Sequence, residues 1–470
     1  MNGRRHYNLT LAVLAVAALS YALLQTMVVP ALPEIQRELD ASTTSVTWVL
    51  TVYLLTASIA TPILGRLGDM FGKERTLVAV LCLFALGSVV AALSHTIELL
   101  VAGRAIQGAA GAVFPLSFGI IRDEFPRERV ATGIGLISAT FGIGGGAGLV
   151  LSGLIVDHLS YEWIFWLGFA VVVVAIFATH RFVPESPVKT PARIDFAGAG
   201  LLSAGLVCLL LALSEGNRWG WGSPEIIGLF VAAAAILAIW VRFEQRAPEP
   251  MIDIDLLRVR GVWTTNLTGL LIGFGMFGSF ILIPQFVQTP SAAGYGFGVD
   301  VTGAGLFMLP SAAIMLVAGP LAGSLAGRVG AKVPLLIGTA CATVSFALLA
   351  VAHSQEWQIV AAVTILGLGI GLSFASMANL IVEAVPQQQT GEATGMNTIM
   401  RTVGGAFGGQ IAAAIVAHHT ATGFPAESGF TTAFTMGSIA VLCAMLAATL
   451  IPSRRARAER RPEPAPSGAR

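Results

Sequence analysis

The stretch Gly65–Arg75, GRLGDMFGKER, interrupts an otherwise apolar chain. It holds one Asp, one Glu, one Lys, two Arg and three Gly. The runs on either side, 46–65 and 76–94, are each about 20 residues long, enough for a helix to cross a bilayer core of about 30 Å. The stretch reads as a tight charged turn between two membrane spans. Glycine there lets two helices and a short loop approach closely. Lys73 stands four residues after Asp69, within reach of a carboxylate. The turn therefore reads as a charged lock that breaks and reforms, with Gly65, Asp69, Gly72 and Lys73 as its parts.

The rest of the 470-residue chain repeats this alternation. Hydrophobic residues make up 55% and charged residues only 11%, against roughly 25% charged in a soluble domain. Apolar runs fall at about 9–30, 46–65, 76–94, 97–121, 130–156, 161–180, 196–213, 226–241, 262–287, 301–325, 333–352, 357–382, 393–417 and 430–452, which makes fourteen helices. The first run continues to Pro30, too long for a signal peptide. Cys82, Cys208, Cys341 and Cys443 lie singly inside apolar runs and read as free thiols.

Charge sorting gives the orientation. With the N-terminus inside, inner segments hold 23 of the 27 Lys and Arg. Outer segments hold only Arg37 and Arg218, while Arg104 and Arg401 fall within spans. The positive-inside rule then places both termini in the cytoplasm of a multi-pass cell-membrane protein. A missed span would swap sides downstream and spoil the asymmetry. The tail over 454–470 is basic, then Pro-rich, and reads as disordered.

The chain also repeats itself. In TPILGRLGDMFGK from Thr61 and GPLAGSLAGRVGAK from Gly319, Pro62 matches Pro320, Gly65 matches Gly323, Leu67 matches Leu325 and Gly72 matches Gly330 at one offset of 258. Farther on, Pro126 pairs with Pro386 and Gly133 with Gly395. Two six-helix halves follow, over 1–190 and 251–453, with two inserted helices over 191–250. Parallel halves of this kind are a transporter architecture, with the substrate path between them.

On these residues the chain resembles the major facilitator superfamily. GRLGDMFGKER is similar to the family's loop signature, and LLVAGRAIQGAAGA to a second motif that places Arg104, Gln107 and Gly108. Fourteen helices, EPMIDIDLLRVRG before the ninth, and GMNTIMRTVGGAFGG resemble the drug:proton antiporter branch. The resemblance implies an all-α integral membrane fold in which Asp69, Lys73 and Asp123 form a lock of the outward-facing state. Two motifs depart from that branch. Gln25 stands where an Asp is usual in the first helix, and in the fifth helix Leu149 and Ser152 replace a Pro and a Gly.

Few residues are left for chemistry. Each Asp and Glu maps to a loop or within about two turns of a helix end, whereas Arg104 lies roughly 10 Å deep in the fourth run. A guanidinium at that depth faces a cavity or a partner, and Gln25 offers a carbonyl oxygen. Arg104, Glu34 and Glu124 are the coupling candidates, beside Asp123 and Glu383. Gln25, Thr26, Tyr53, Gln107, Asn266, Gln285, Asn379, Asn397 and Arg401 are candidates for the substrate cavity, with Met276, Phe277 and Phe286 as apolar contacts. Asn397 and Arg401 are one turn apart and share a helix face.

The expected function is export of lipophilic or cationic drugs in exchange for protons. The alternatives are a dedicated exporter of one metabolite or antibiotic, and a facilitator without proton coupling. No His/Asp/Glu cluster for an intramembrane enzyme and no Walker motif for an ATP-driven pump occurs in the sequence. No cofactor, metal or nucleic acid is expected. The partners are a lipophilic small molecule, protons and the bilayer, and the chain is expected to be a monomer.

Overall fold

The computed structural model describes residues 2–189, 195–418, 420–421 and 424–452. The boundary expected between 190 and 191 and the tail expected over 454–470 fall outside these residues. Fourteen described helices are long and apolar enough to cross a membrane. They are α1 (Asn2–Glu38), α2 (Thr43–Phe71), α3 (Lys73–Ala92), α4 (Ile97–Glu124), α5 (Arg127–His158), α6 (Glu162–Phe182), α7 (Phe196–Trp219) and α8 (Pro224–Glu244), followed by α9 (Arg260–Gln288), α10 (Val301–Val329), α11 (Lys332–Val351), α12 (Glu356–Ala384), α13 (Thr390–His418) and α14 (Glu427–Thr449). A short helix, Ile254–Arg258, precedes α9, and Thr420–Ala421 pairs with Phe424–Pro425 in a small antiparallel ladder before α14.

Local chemistry sets the ends of these helices. Ser42, Thr96, Asp195, Ser223 and Asp300 cap α2, α4, α7, α8 and α10 by accepting a backbone N–H from the first turn. Ser223 followed by Pro224 starts α8 earlier than its apolar run suggests. At the other end of α2, Gly72 adopts φ 121°, and its repeat partner Gly330 after α10 adopts φ 89°. Both values favour glycine, so the repeat preserves the turn as well as the letters.

The packing repeats eight helices apart. α1 packs on α5 and α6, and α9 on α13 and α14. α3 packs on α4 and α6, and α11 on α12 and α14. α2 meets α4 as α10 meets α12. These groups are joined by α5, which packs on α10 and α12, and by α13, which packs on α2 and α4. The inserted helices pack on each other, and α7 also touches α2 and α13. Leu202, Leu206, Leu210 and Leu213 of α7 form an apolar cluster with Met396, Ile399 and Val403 of α13. α7 thereby covers the seam between α2 and α13.

Candidate functional site: a latch and a central cavity

The opening stretch lies where the two groups of helices meet. Lys73 Nζ is 3.2 Å from Asp69 Oδ1 and 2.8 Å from Asp123 Oδ2, and all three side chains are buried. Asp69 Oδ2 also accepts hydrogen bonds from the backbone N–H of Gly391 at 2.9 Å and of Glu392 at 3.2 Å. These are orphan donors in the first turn of α13, where the helix dipole favours an anion. Gly65 makes the approach possible, since a Cβ there would lie 2.7 Å from Gly391 O.

Neighbouring residues extend the latch. Arg122 donates to Val385 O at 2.7 Å, Pro386 O at 3.0 Å and Thr390 Oγ1 at 2.6 Å. Gln387 Nε2 donates to Asp123 Oδ1 at 2.9 Å, and Ser186 Oγ donates to Asp123 Oδ2. Glu392 pairs with Arg66 at 3.4 Å and accepts the Asp253 N–H at 2.6 Å. The segment before α9 is thus docked into the latch. The sequence reading missed Arg122, Gln387 and Glu392. The aligned pair EFPRERVATG and AVPQQQTGEATG was the available signal, because Gln387 and Glu392 lie inside it.

Near the middle of the bundle an aromatic series runs between two arginines. Arg104 stacks on the Tyr53 ring with its Cζ 4.0 Å from the centroid. Successive ring centroids are 6.2 Å apart for Tyr53–Tyr21, 5.8 Å for Tyr21–Phe114, 5.9 Å for Phe114–Phe141 and 5.5 Å for Phe141–Phe374. Arg401 Cζ lies 4.3 Å from the Phe374 centroid. The Phe141–Phe374 step joins α5 to α12. A cavity of about 20 Å³ sits beside it, lined by Phe114, Phe118, Ser138 and Phe141 on one side and by Phe374, Ala378, Thr394, Asn397, Thr398 and Arg401 on the other. A second cavity, about 190 Å³, lies among α2, α7, α9 and α13, and Phe277 is in its wall.

Arg104 is fully buried. Its Nε donates to Val49 O at 3.2 Å and its Nη1 to Gln107 Oε1 at 2.8 Å, while Gln107 in turn donates to Ser88 Oγ at 2.8 Å. The expected Gln25 contact is corrected: the Gln25 carbonyl oxygen is buried with no hydrogen-bond partner among the described residues. Gln107, one turn from Arg104 on the same helix, takes its place.

The other expected cavity residues scatter. Thr26 Oγ1 donates to Gly144 O at 2.8 Å and ties α1 to α5. Asn266 Oδ1 accepts from Asn397 Nδ2 at 3.0 Å, behind the cavity wall. Asn379 Nδ2 reaches Ala131 O at 3.3 Å, across the α5–α12 contact. Gln285 is exposed one turn beyond Ile281 and lines neither cavity. Phe286 packs with Tyr295, Phe430 and Phe434 near the end of α9. Met276 is buried in the core. Glu34 is ion-paired with Arg37 near the end of α1, and Glu124 ends α4 beside Asp123.

Known proteins resemble this chain in sequence and in fold. The model of the Major Facilitator Superfamily matches residues 14–409 and 267–469. An uncharacterized MFS-type transporter of Mycobacterium tuberculosis is 30% identical over 82% of the chain, and the chain spans 56% of that relative's length. The tetracenomycin C resistance and export protein of Streptomyces glaucescens is 28% identical over 88% of the chain and 77% of its own length. The multidrug transporter protein MdtP of Bacillus subtilis is 29% identical over 81% and 70%. In fold, the human organic anion transporter MFSD10 (TETRAN) matches with a TM-score of 0.67 at 15% identity, covering 94% of this chain and 99% of that one. A family match running through both groups of helices leaves one conclusion, that the chain is a multi-pass membrane protein and belongs to the Major Facilitator Superfamily.

Proposed function

We propose that the chain exports lipophilic small molecules across the cell membrane by alternating access, in exchange for protons, with both termini in the cytoplasm. One observation carries this reading: the Asp69–Gly391 latch closes one end of the seam between the halves, beside a central cavity. The basic segments sort to that same end, which the positive-inside rule assigns to the cytoplasm. Breaking the latch opens the cavity inward and reforming it closes the cavity from the cytoplasm. The relatives named for tetracenomycin C export and for multidrug transport support an antibiotic or drug as cargo.

Proton exchange draws support from the placement of carboxylates. Asp69, Asp123 and Glu392 have buried side chains in the latched form. A carboxylate that is dry in one state and wet in the other binds protons differently in the two, which is what coupling requires. Glu34 offers a second titrating group at the far end of α1. The test is flux of a panel of lipophilic compounds into or out of proteoliposomes under an imposed pH gradient. Flux that follows the gradient supports the exchange. Flux that ignores it removes the proton, and no flux for any compound removes export.

A further inference from the structure

Resting on the transport reading above, we infer that the central site takes a lipophilic anion: a planar aromatic compound carrying a carboxylate, with its charge on Arg401 and its ring against Phe374, Phe141 and Phe114. Arg401 lines the central cavity and stacks on Phe374, yet its guanidinium makes no hydrogen bond or ion pair among the described residues. A guanidinium carries five donors in a planar fork that fits a carboxylate through two of them. A stacked ring replaces only part of the hydration such a cation loses inside a membrane.

The surroundings reinforce the sign. Arg104 supplies a second positive charge, bound only by neutral groups, and its Nη2 has no hydrogen-bond partner among the described residues. Tyr21 lies between the Arg104-stacked Tyr53 and the cavity-lining Phe114 in the ring series. The described lining of the cavity contains no carboxylate. A cationic ligand there meets the Arg401 charge in a medium of low dielectric constant, whereas an anion is attracted by it, and Arg104 adds the same sign farther along the ring series. Neutral hydrogen-bonding groups complete the wall, and Ser138 Oγ there is buried with no hydrogen-bond partner among the described residues.

Size adds a mechanical link. At about 20 Å³ the cavity holds no more than a water molecule. An aromatic ring enters by parting Phe141 of α5 from Phe374 of α12, which face each other across the two halves. Binding the ring and separating the halves are then one motion.

The test uses three probes of matched shape, 2-naphthoate, 2-naphthylmethylammonium and 2-naphthylmethanol. Each is measured by equilibrium binding to the full chain in lipid nanodiscs, and the two ions also by counterflow in proteoliposomes. Wild type should bind the carboxylate at least about tenfold more tightly than the ammonium. Arg401→Gln should remove most of that difference, and Arg401→Lys should restore part of it. Retained binding of the neutral probe shows that a variant is folded. Equal or tighter binding of the ammonium by wild type overturns the inference. So does undiminished naphthoate affinity in Arg401→Gln, or no naphthoate binding at all. If the lipophilic panel is still transported in any of those cases, the export reading stands and only the anionic class falls.

Discussion

Asp69 of α2 caps α13 through the backbone N–H of Gly391, 2.9 Å from its Oδ2. One carboxylate thus holds a lysine of its own half and the start of a helix in the other half. Asp69→Asn keeps an acceptor but removes the charge that suits both partners. Flux per folded molecule is expected to fall at least about tenfold, equivalent to ~1.4 kcal/mol of lost stabilisation in the cycle. Asp69→Ala should also destabilise the latched form by about 3–5 kcal/mol, the usual cost of breaking a buried pair. Near-normal flux in both variants would reduce the stretch to a loop that only fixes topology.

The Gly65–Gly391 contact makes a steric prediction. A Cβ on Gly391 would lie 2.5 Å from Gly65 O, and the obstructing atom is backbone. Gly391→Ala should hold the latched end apart without altering any charge. Spin labels on the exposed positions Arg129 and Val329 should report a longer distance than in wild type. An unchanged distance would show that the helices slip past the methyl group.

Arg104 is expected to resist even its closest replacement. Lysine has no planar fork to reach Val49 O and Gln107 Oε1 while stacking on Tyr53. Arg104→Lys should lower stability by about 1–3 kcal/mol, because it strands buried acceptors. Thermal unfolding in detergent measures the loss. A midpoint within about a degree of wild type would assign these contacts no net stabilising effect.

Two neutralisations separate the ends of the molecule as proton sites. Glu392→Gln keeps an acceptor for the Asp253 N–H while removing a buried titrating group. Flux in Glu392→Gln is expected to lose its dependence on the pH gradient while ligand binding survives. Glu34→Gln should retain it, because Glu34 is ion-paired with Arg37 outside the latch. Reversed results would move the proton to the far end of α1.

Much of this fold was legible from hydropathy, since each span is continuous, apolar and bounded by charge. The charged turn was legible too, because Asp69 and Lys73 are four residues apart on one short segment. Their partners across the interface were not. Gly391 N, from which Asp69 accepts, is a backbone group, as are the Val385 O and Pro386 O that Arg122 reaches and the Pro250 O that Arg66 reaches, and a backbone group has no sequence signature. Gln25 misled for a different reason. A polar side chain in a span invites pairing with the nearest charge, but Arg104 already had Gln107 within its own helix. Gln285 looked like a cavity residue by type alone, and periodicity within a uniformly apolar helix gave no face to correct it.

The repeat makes the latch more consequential than its size suggests. At the offset of 258, Gly327 and Ala331 stand where Asp69 and Lys73 would be. The next residue, Lys332, turns instead to the end of its own half, donating to Thr449 O and Ile451 O. A faithful duplication would have produced two interchangeable fasteners, each able to stand in for the other. Among the described residues the Asp69 copy is the one that reaches across, so the proposed cycle hinges on that contact. On the proposed alternating-access cycle, a small wedge lodged between Gly65 and Gly391 would jam the protein without competing at the central cavity, and inhibition at that one contact would outlast changes of substrate.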